Sequence, residues 1–252
     1  MNDHINESIE QGVHTICLNR PDKKNAITVD MYQMLSEALH RAEKNDQVKV
    51  TLITGTGPDF SAGNDIREFV EIAKSPEKMA SVMAFLQALT AYKKPLIAAV
   101  EGWAVGVAST LLLHCDMVIA ARNTQMVLPF VQLGLVPEAA SSYLLPKLIG
   151  HQRAFEILML GEPLTAEYAS ELGLVNHQCE PGEALEMATH YANRICALPT
   201  EAVLLSKELL KCRTIDDVQM ALMREGRIFK DRLKSPEAIA QFASFIQGKG
   251  GQ

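Results

Sequence analysis

Glu138 is the side chain in this sequence best placed to move a proton. It stands in LGLVPEAASS, flanked by Leu135, Val136, Ala139 and Ala140, where a helix is expected to begin. In such company a carboxylate is either desolvated, with the raised pKa a general base needs, or lies on the surface where the helix dipole favours its charge. The residues alone leave both open. Two other segments offer backbone chemistry. GTGPDFSAGNDI (55–66) places a turn at Ala62-Gly63 before an expected helix. GWAVGVASTLLL (102–113) strips bulk at Gly102, Ala104, Gly106 and Ala108 before a helix expected from Val107. First-turn N–H groups have no partner within their own helix and are suited to hold a negative oxygen. Two such sites together would make a two-donor oxyanion hole, although each glycine stretch alone also fits an ordinary turn or close helix–sheet packing.

Other chemistries find less support. The glycine-rich loop has neither G-x-G-x-x-G nor a P-loop lysine, which argues against dinucleotide binding. His114, His151 and His177 have no metal-ligand spacing and no H-E-x-x-H occurs, so they read as structural or surface residues and no metal is expected. Ser109 and Thr110 lack a G-x-S-x-G frame, which speaks against a hydrolase triad. Asp65 reads as a helix-start residue, and Lys23 and Lys24 lie in a loop where they could meet phosphates.

The elements that must position these groups alternate. Strands are expected at 13–19, 48–55, 95–102, 117–122 and 172–178, with a short one in QMVLPF. Helices are expected from Thr28, as N-cap, to Lys44, from about Ile66, at 107–114, near 139–149 and at 151–160. On the first helix Met31, Met34, Leu35, Ala38, Leu39 and Ala42 share an apolar face. Alternation of this kind implies a mainly parallel α/β sheet, at whose strand ends ligands bind. From Leu198 three helical patterns follow without a strand, so the organisation expected is a core over 1–197 and a helical region over 198–252. That tail is apolar enough to pack on a partner subunit, or on its own core.

The chain has 252 residues and a net charge of −6, which points to neither a nucleic-acid footprint nor an anionic membrane partner. The N-terminal MNDHINESIEQGV resembles neither a secretory nor an import signal, the apolar runs are too short to span a bilayer, and five scattered cysteines read as reduced thiols; a cytoplasmic location is expected.

Taken together, LNRPDKKNAIT (18–28), FSAGNDIREF (60–69), KPLIAAVEGWAVGVASTLLLHCDMVIA (94–120), PFVQLGLVPEAASSYLLPKLIG (129–150) and LTAEYASELGLVNHQ (164–178) resemble the crotonase superfamily, the enoyl-CoA hydratase/isomerase family. The resemblance covers nearly the whole chain. It implies a spiral core of ββα units with C-terminal helices that build homotrimers, often paired as homohexamers. It also implies a CoA thioester substrate, with no separate cofactor because coenzyme A arrives as part of that substrate. The thioester oxygen would sit between the N–H groups of Asn64 and Val107, and the CoA moiety near Lys23, Lys24, Ala26, Ala62, Asp65 and Ile66. Phe245 and Lys249 are loose candidates to finish that pocket. The two glutamates of the hydratases would fall at Thr110 and Phe130, neither of which can move a proton near neutral pH. LGLVPEAASS and GND instead resemble the delta-3, delta-2 enoyl-CoA isomerases, in which one glutamate serves alone; here it would be Glu138. The alternatives within the resemblance are a 2-enoyl-CoA hydratase, a thioester hydrolase, or a subunit that binds acyl-CoA without catalysis.

Overall fold

The computed structural model describes residues 4–68 and 75–247. A six-stranded sheet is ordered β1-β2-β3-β4-β6-β9, from strands Ile5–Glu10 (β1), Val13–Leu18 (β2), Val50–Gly55 (β3), Leu96–Val100 (β4), Met117–Ala121 (β6) and His177–Cys179 (β9). Only the β1–β2 hairpin is antiparallel; every later pair is parallel, as strands separated by helices require. A second sheet of three short strands, Trp103–Val105 (β5), Gln125–Val127 (β7) and Leu164–Thr165 (β8), stands beside it in the order β5-β7-β8.

Strand alternation divides the interior in two. On one face, Val50, Leu52, Ile97, Ala99 and Ile119 pack against helix Ala184–Cys196. That helix turns Ala184, Ala188, Ala192 and Cys196 to the sheet at four-residue spacing, and this stripe of small residues admits a close approach. On the other face, Ile16, Ile53, Leu96, Ala98 and Val100 join the larger core with helix α1 (Val29–Lys44) and helix α2 (Pro76–Ala91). Thr28 caps α1, its Oγ1 accepting from the N–H of Met31 at 3.2 Å. The buried face of α1 includes Tyr32 and Ser36 besides the expected residues, whereas Met34 is only partly buried.

Further helices complete the chain: α3 (Val107–Leu112), α4 (Ser141–Ile149), α5 (His151–Leu160), α6 (Ala166–Glu171), α7 (Ala184–Cys196), α8 (Thr200–Lys211), α9 (Ile215–Arg232) and α10 (Pro236–Ile246). The segment expected to be helical from Ile66 is helical over 66–68, and its continuation lies outside the described residues. Three expectations are corrected. The strand in QMVLPF ends at Val127, because a proline follows at 129. The last strand covers only Cys179 and the two residues before it, since Gly173 adopts φ +78° and ends a helical turn there. The polar N-terminus, to which the sequence reading assigned no element, supplies β1, an edge strand with five of its six residues exposed. Among the described residues no helix is long and apolar enough to cross a membrane.

The helical tail packs on its own core: Val218, Leu222, Glu225 and Phe229 of α9 are buried. It also leaves Leu205, Leu209, Leu210, Met220 and Met223 exposed.

Candidate active site

The loop after β3 is shaped around Asn25. Its buried side chain donates to the carbonyls of Thr56 and Asp59, both at 2.8 Å, and accepts from the N–H of Arg20 at 2.8 Å. Ser61 then donates from its hydroxyl to the Asn25 carbonyl at 2.8 Å. Backbone bonds stitch this loop to the segment after β4: the N–H groups of Phe60 and Ser61 donate to the carbonyls of Glu101 and Trp103, and Val105 donates back to Ser61. The fit is tight at Gly63, which has φ +78° and where a Cβ would meet the Val105 carbonyl oxygen at 2.4 Å. A glycine is required there on both counts.

The two backbone donors follow from this stitching. The Gly63 carbonyl accepts from Ile27 and the Asp65 N–H donates to Ile27, a parallel bridge that leaves the intervening Asn64 N–H facing away. In the second segment Gly106 has φ +58° and ψ −119° and caps α3. Its own N–H donates to the Val127 carbonyl at 2.8 Å, and the next N–H, of Val107, begins the helix. Neither the Asn64 nor the Val107 N–H has a protein acceptor among the described residues. Both sequence-derived donors are therefore main-chain groups without a protein partner, on neighbouring loops.

Glu138 is buried, 8% exposed, and lines a small chamber of about 30 Å³ between α1, α2 and α9 together with Tyr32, Asn64, Met83, Leu222 and Phe229. Of the two readings its sequence left open, the structure favours desolvation. Burial pushes its pKa up to about 8, a bond from the Thr110 hydroxyl at 2.5 Å opposes that shift, and the charge of Glu225 adds to it. The helix-dipole reading fails because another acid occupies that end of α4. Glu225 accepts from the N–H groups of Ala140 at 2.6 Å and Ser142 at 2.9 Å, and from the Ser142 hydroxyl at 2.5 Å. Between Glu138 and α4, Ala139 and Ala140 take φ values of +55° and +59°, which is unfavourable for residues with a Cβ. The Ala139 carbonyl accepts from His114 Nε2 at 2.7 Å. Burial lowers the His114 pKa to about 4, so the ring is neutral and donates from that nitrogen.

Tyr32, which the sequence reading did not single out, is fully buried and donates from its hydroxyl to Asn64 Oδ1 at 2.5 Å. Burial, reinforced by the Glu138 charge, holds its pKa far above neutrality, so the hydroxyl keeps its proton. Asn64 and Phe229 line both the chamber and a larger cleft of about 560 Å³, so the two adjoin at these residues. Ala62, Ile66 and Phe245 line that cleft, as does Phe130; Lys249 lies outside the described residues. Lys23 and Lys24 are exposed in the preceding loop, while Ala26 and Asp65 serve it internally. The Ala26 carbonyl accepts from Arg20 at 2.6 Å, Asp65 pairs with the same guanidinium at 3.2 Å, and Lys24 lies 3.6 Å from Asp59.

Comparison with known proteins gives the family. The family model described as enoyl-CoA hydratase/isomerase matches residues 8–245. The chain is 34% identical over 233 residues to 1,2-epoxyphenylacetyl-CoA isomerase of Escherichia coli (strain K12), covering 89% of each protein. It is 36% identical over 246 residues to enoyl-CoA delta isomerase 2 of Rattus norvegicus, which takes in 95% of this chain and 62% of the rat protein. Among solved structures, Pseudomonas aeruginosa OdaA superposes with a TM-score of 0.93 at 44% identity, covering 97% of this chain and 99% of that one. The chain belongs to the enoyl-CoA hydratase/isomerase family, the crotonase superfamily of acyl-CoA enzymes.

Proposed function

We propose that this enzyme moves the double bond of a 3-enoyl-CoA thioester to the 2,3 position, with Glu138 as its only acid–base group. The observation that carries this reading is the chamber itself: among the described residues lining it, Glu138 is the only carboxylate, and its pKa of about 8 lets it exchange a proton near neutral pH. The Glu138 carboxylate takes a proton from C2, and the electron pair moves into the thioester to give a dienolate. The N–H groups of Asn64 and Val107 hold the charge on oxygen. The same carboxylic acid then returns the proton to C4, leaving a bond between C2 and C3. Losing one backbone donor of this kind costs about 10²–10³ in rate, and the proton shuttle contributes about 10²–10⁴.

Thr110 and Phe130 support the isomerase over the hydratase. Hydration needs a second group to activate water; here one of those positions is a hydroxyl committed to Glu138 and the other is a buried aromatic ring. The CoA moiety is assigned to the cleft and its rim, with Lys23 and Lys24 facing phosphate, Ala26, Ala62 and Ile66 along the loop, and Asp65 ordering it through Arg20. The exposed leucines of α8 are assigned to contacts within a homotrimer or homohexamer. The relatives also include 2,3-dehydroadipyl-CoA hydratase of Escherichia coli (strain K12), at 30% identity, which makes hydration the second reading. Incubation with 3-enoyl-CoA and with 2-enoyl-CoA in separate reactions distinguishes the two. Isomerisation that disappears in Glu138→Gln is expected; rapid hydration of 2-enoyl-CoA overturns the assignment.

A further inference from the structure

Glu225 lies 87 positions beyond Glu138 in the chain, on the tail helix α9, yet it is buried and spends its carboxylate on the turn that follows the acid. The three groups it accepts from, the Ala140 N–H, the Ser142 N–H and the Ser142 hydroxyl, lie on the cap and the second residue of α4. A buried carboxylate at a helix start is accounted for by its bonds, but this one also does something else. The turn it grips contains two alanines at positive φ, a conformation that persists only where the surroundings hold it. His114 holds the turn from one side, at the Ala139 carbonyl, and Glu225 from the other, at the Ala140 N–H. Glu138 is the residue immediately before this clamp. On the same helix, Leu222, Gly226 and Phe229 wall the chamber that Glu138 faces.

We propose that Glu225 is a positioning residue for Glu138: its three bonds fix the strained Ala139–Ala140 turn that aims the acid into the chamber, so that docking of α9 completes the proton-transfer site. The inference rests on the assignment of Glu138 as the acid–base group. The ionisable and hydroxyl groups around Glu138 are Thr110 from α3, the neutral His114 from the turn after α3, Tyr32 from α1 and Glu225 from α9. Of these Glu225 is the only other carboxylate; burial raises its own pKa, and its charge opposes ionisation of Glu138, so its removal also alters proton affinity at Glu138 in a defined direction.

The test uses the full chain and 3-enoyl-CoA, with kcat and KM measured from pH 6 to 10 for Glu225→Gln, Glu225→Ala and Glu225→Asp, each checked for folding by circular dichroism. A misplacement of about 1 Å costs about 10²-fold in rate, so kcat should fall about 10- to 100-fold in Glu225→Ala with KM changed much less. In Glu225→Gln the midpoint of the rising pH profile should move to lower pH, because a neighbouring negative charge no longer opposes ionisation of Glu138. Glu225→Asp should recover part of kcat. A folded Glu225→Gln with the parental kcat and the parental midpoint overturns the proposal. Should the alanine variant fail to fold, the glutamine variant, whose single carbonyl oxygen can still accept from Ala140 or from Ser142 but not from both, decides on the same criteria. Should the glutamine variant also fail to fold, Ser142→Ala, which deletes only the hydroxyl bond, decides: an unchanged kcat there overturns the proposal. Glu138→Gln is run alongside. If that variant keeps full activity, the acid–base assignment itself falls, whereas loss there with no effect at Glu225 removes only the positioning role.

Discussion

The Thr110 hydroxyl lies 2.5 Å from Glu138 Oε1 and donates to it, joining the first turn of α3 to the acid across a fully buried contact. The same helix turn carries the Val107 N–H at its start. The proposed acid and one of the two proposed oxyanion donors are thus both tied to a single helix turn, Val107 to Thr110. The hydroxyl favours the ionised carboxylate and partly offsets the effect of burial, so it tunes as well as orients.

Thr110→Val keeps the shape and deletes the bond. A hydrogen bond to a charged group contributes about 1.5–3 kcal/mol, so the midpoint of the pH–kcat profile should rise by roughly 1–2 units. Activity measured at pH 7 should fall about 10-fold or more, with part of it restored at pH 10. The shift is opposite to that expected of Glu225→Gln, and measuring both profiles in one buffer series checks the pair.

Glu138→Gln should inactivate the enzyme and stabilise it. The unfolded carboxyl ionises near 4.5, whereas the folded one holds its proton until about pH 8. Between those values the unfolded state binds fewer protons, so folding stability of the parental protein is lost as pH rises through the window. Glutamine has no such dependence. Its advantage should grow from near zero at pH 4 to on the order of a few kcal/mol at pH 8. Thermal melting of both proteins over that range reads it directly, and parallel curves would contradict a buried acid with raised proton affinity.

Gly63→Ala places a methyl group against the Val105 carbonyl oxygen, 2.4 Å away, at a φ of +78°. The two loops must separate, and the Asn64 N–H moves with them. Loss of that donor predicts a fall in kcat of about 10²–10³ with a stability loss of about 1–3 kcal/mol. Steady-state kinetics and denaturant unfolding on the same preparation separate the two effects.

Gly226 lies inside α9, where glycine costs about 1 kcal/mol relative to alanine. A Cβ there would meet Met83 Sδ at 3.3 Å and Cε at 3.4 Å, the flexible end of a side chain that also lines the chamber. Gly226→Ala should therefore fold and narrow the chamber. Each methylene displaced from an apolar pocket is worth about 1–3 kcal/mol, so kcat/KM for long acyl chains should drop at least about 10-fold relative to the shortest 3-enoyl substrate. A chain-length series with both proteins provides the check.

What the sequence made legible was local. The β-branched run over 48–55, the cap at Thr28 and the glycines of both loops depend on near neighbours, and strand β3, helix α1 and the start of α3 stand where those patterns put them. Strand β1 escaped notice because an edge strand needs only Ile5 buried. The partners of Glu138 escaped for another reason. Tyr32 and Glu225 are separated from it by about a hundred positions in opposite directions, and a glutamate in an amphipathic helix such as α9 reads as a solvated residue. The sequence could pose the question of whether Glu138 is dry or exposed; only the packing of α9 over α4 answers it, by giving the helix start to a different acid.

The register between residues 60–65 and 101–106 is written in peptide groups, from Phe60 to Glu101, Ser61 to Trp103 and Val105 back to Ser61. The separation of the two exposed amides is therefore insulated from most side-chain drift along those segments. Residues that face the chamber can be exchanged, altering which bond is made or broken, while the anion-holding frame is inherited intact. On the proposed function, a scaffold wired this way can vary its chemistry at the residues facing the chamber while the register of the two loops is kept.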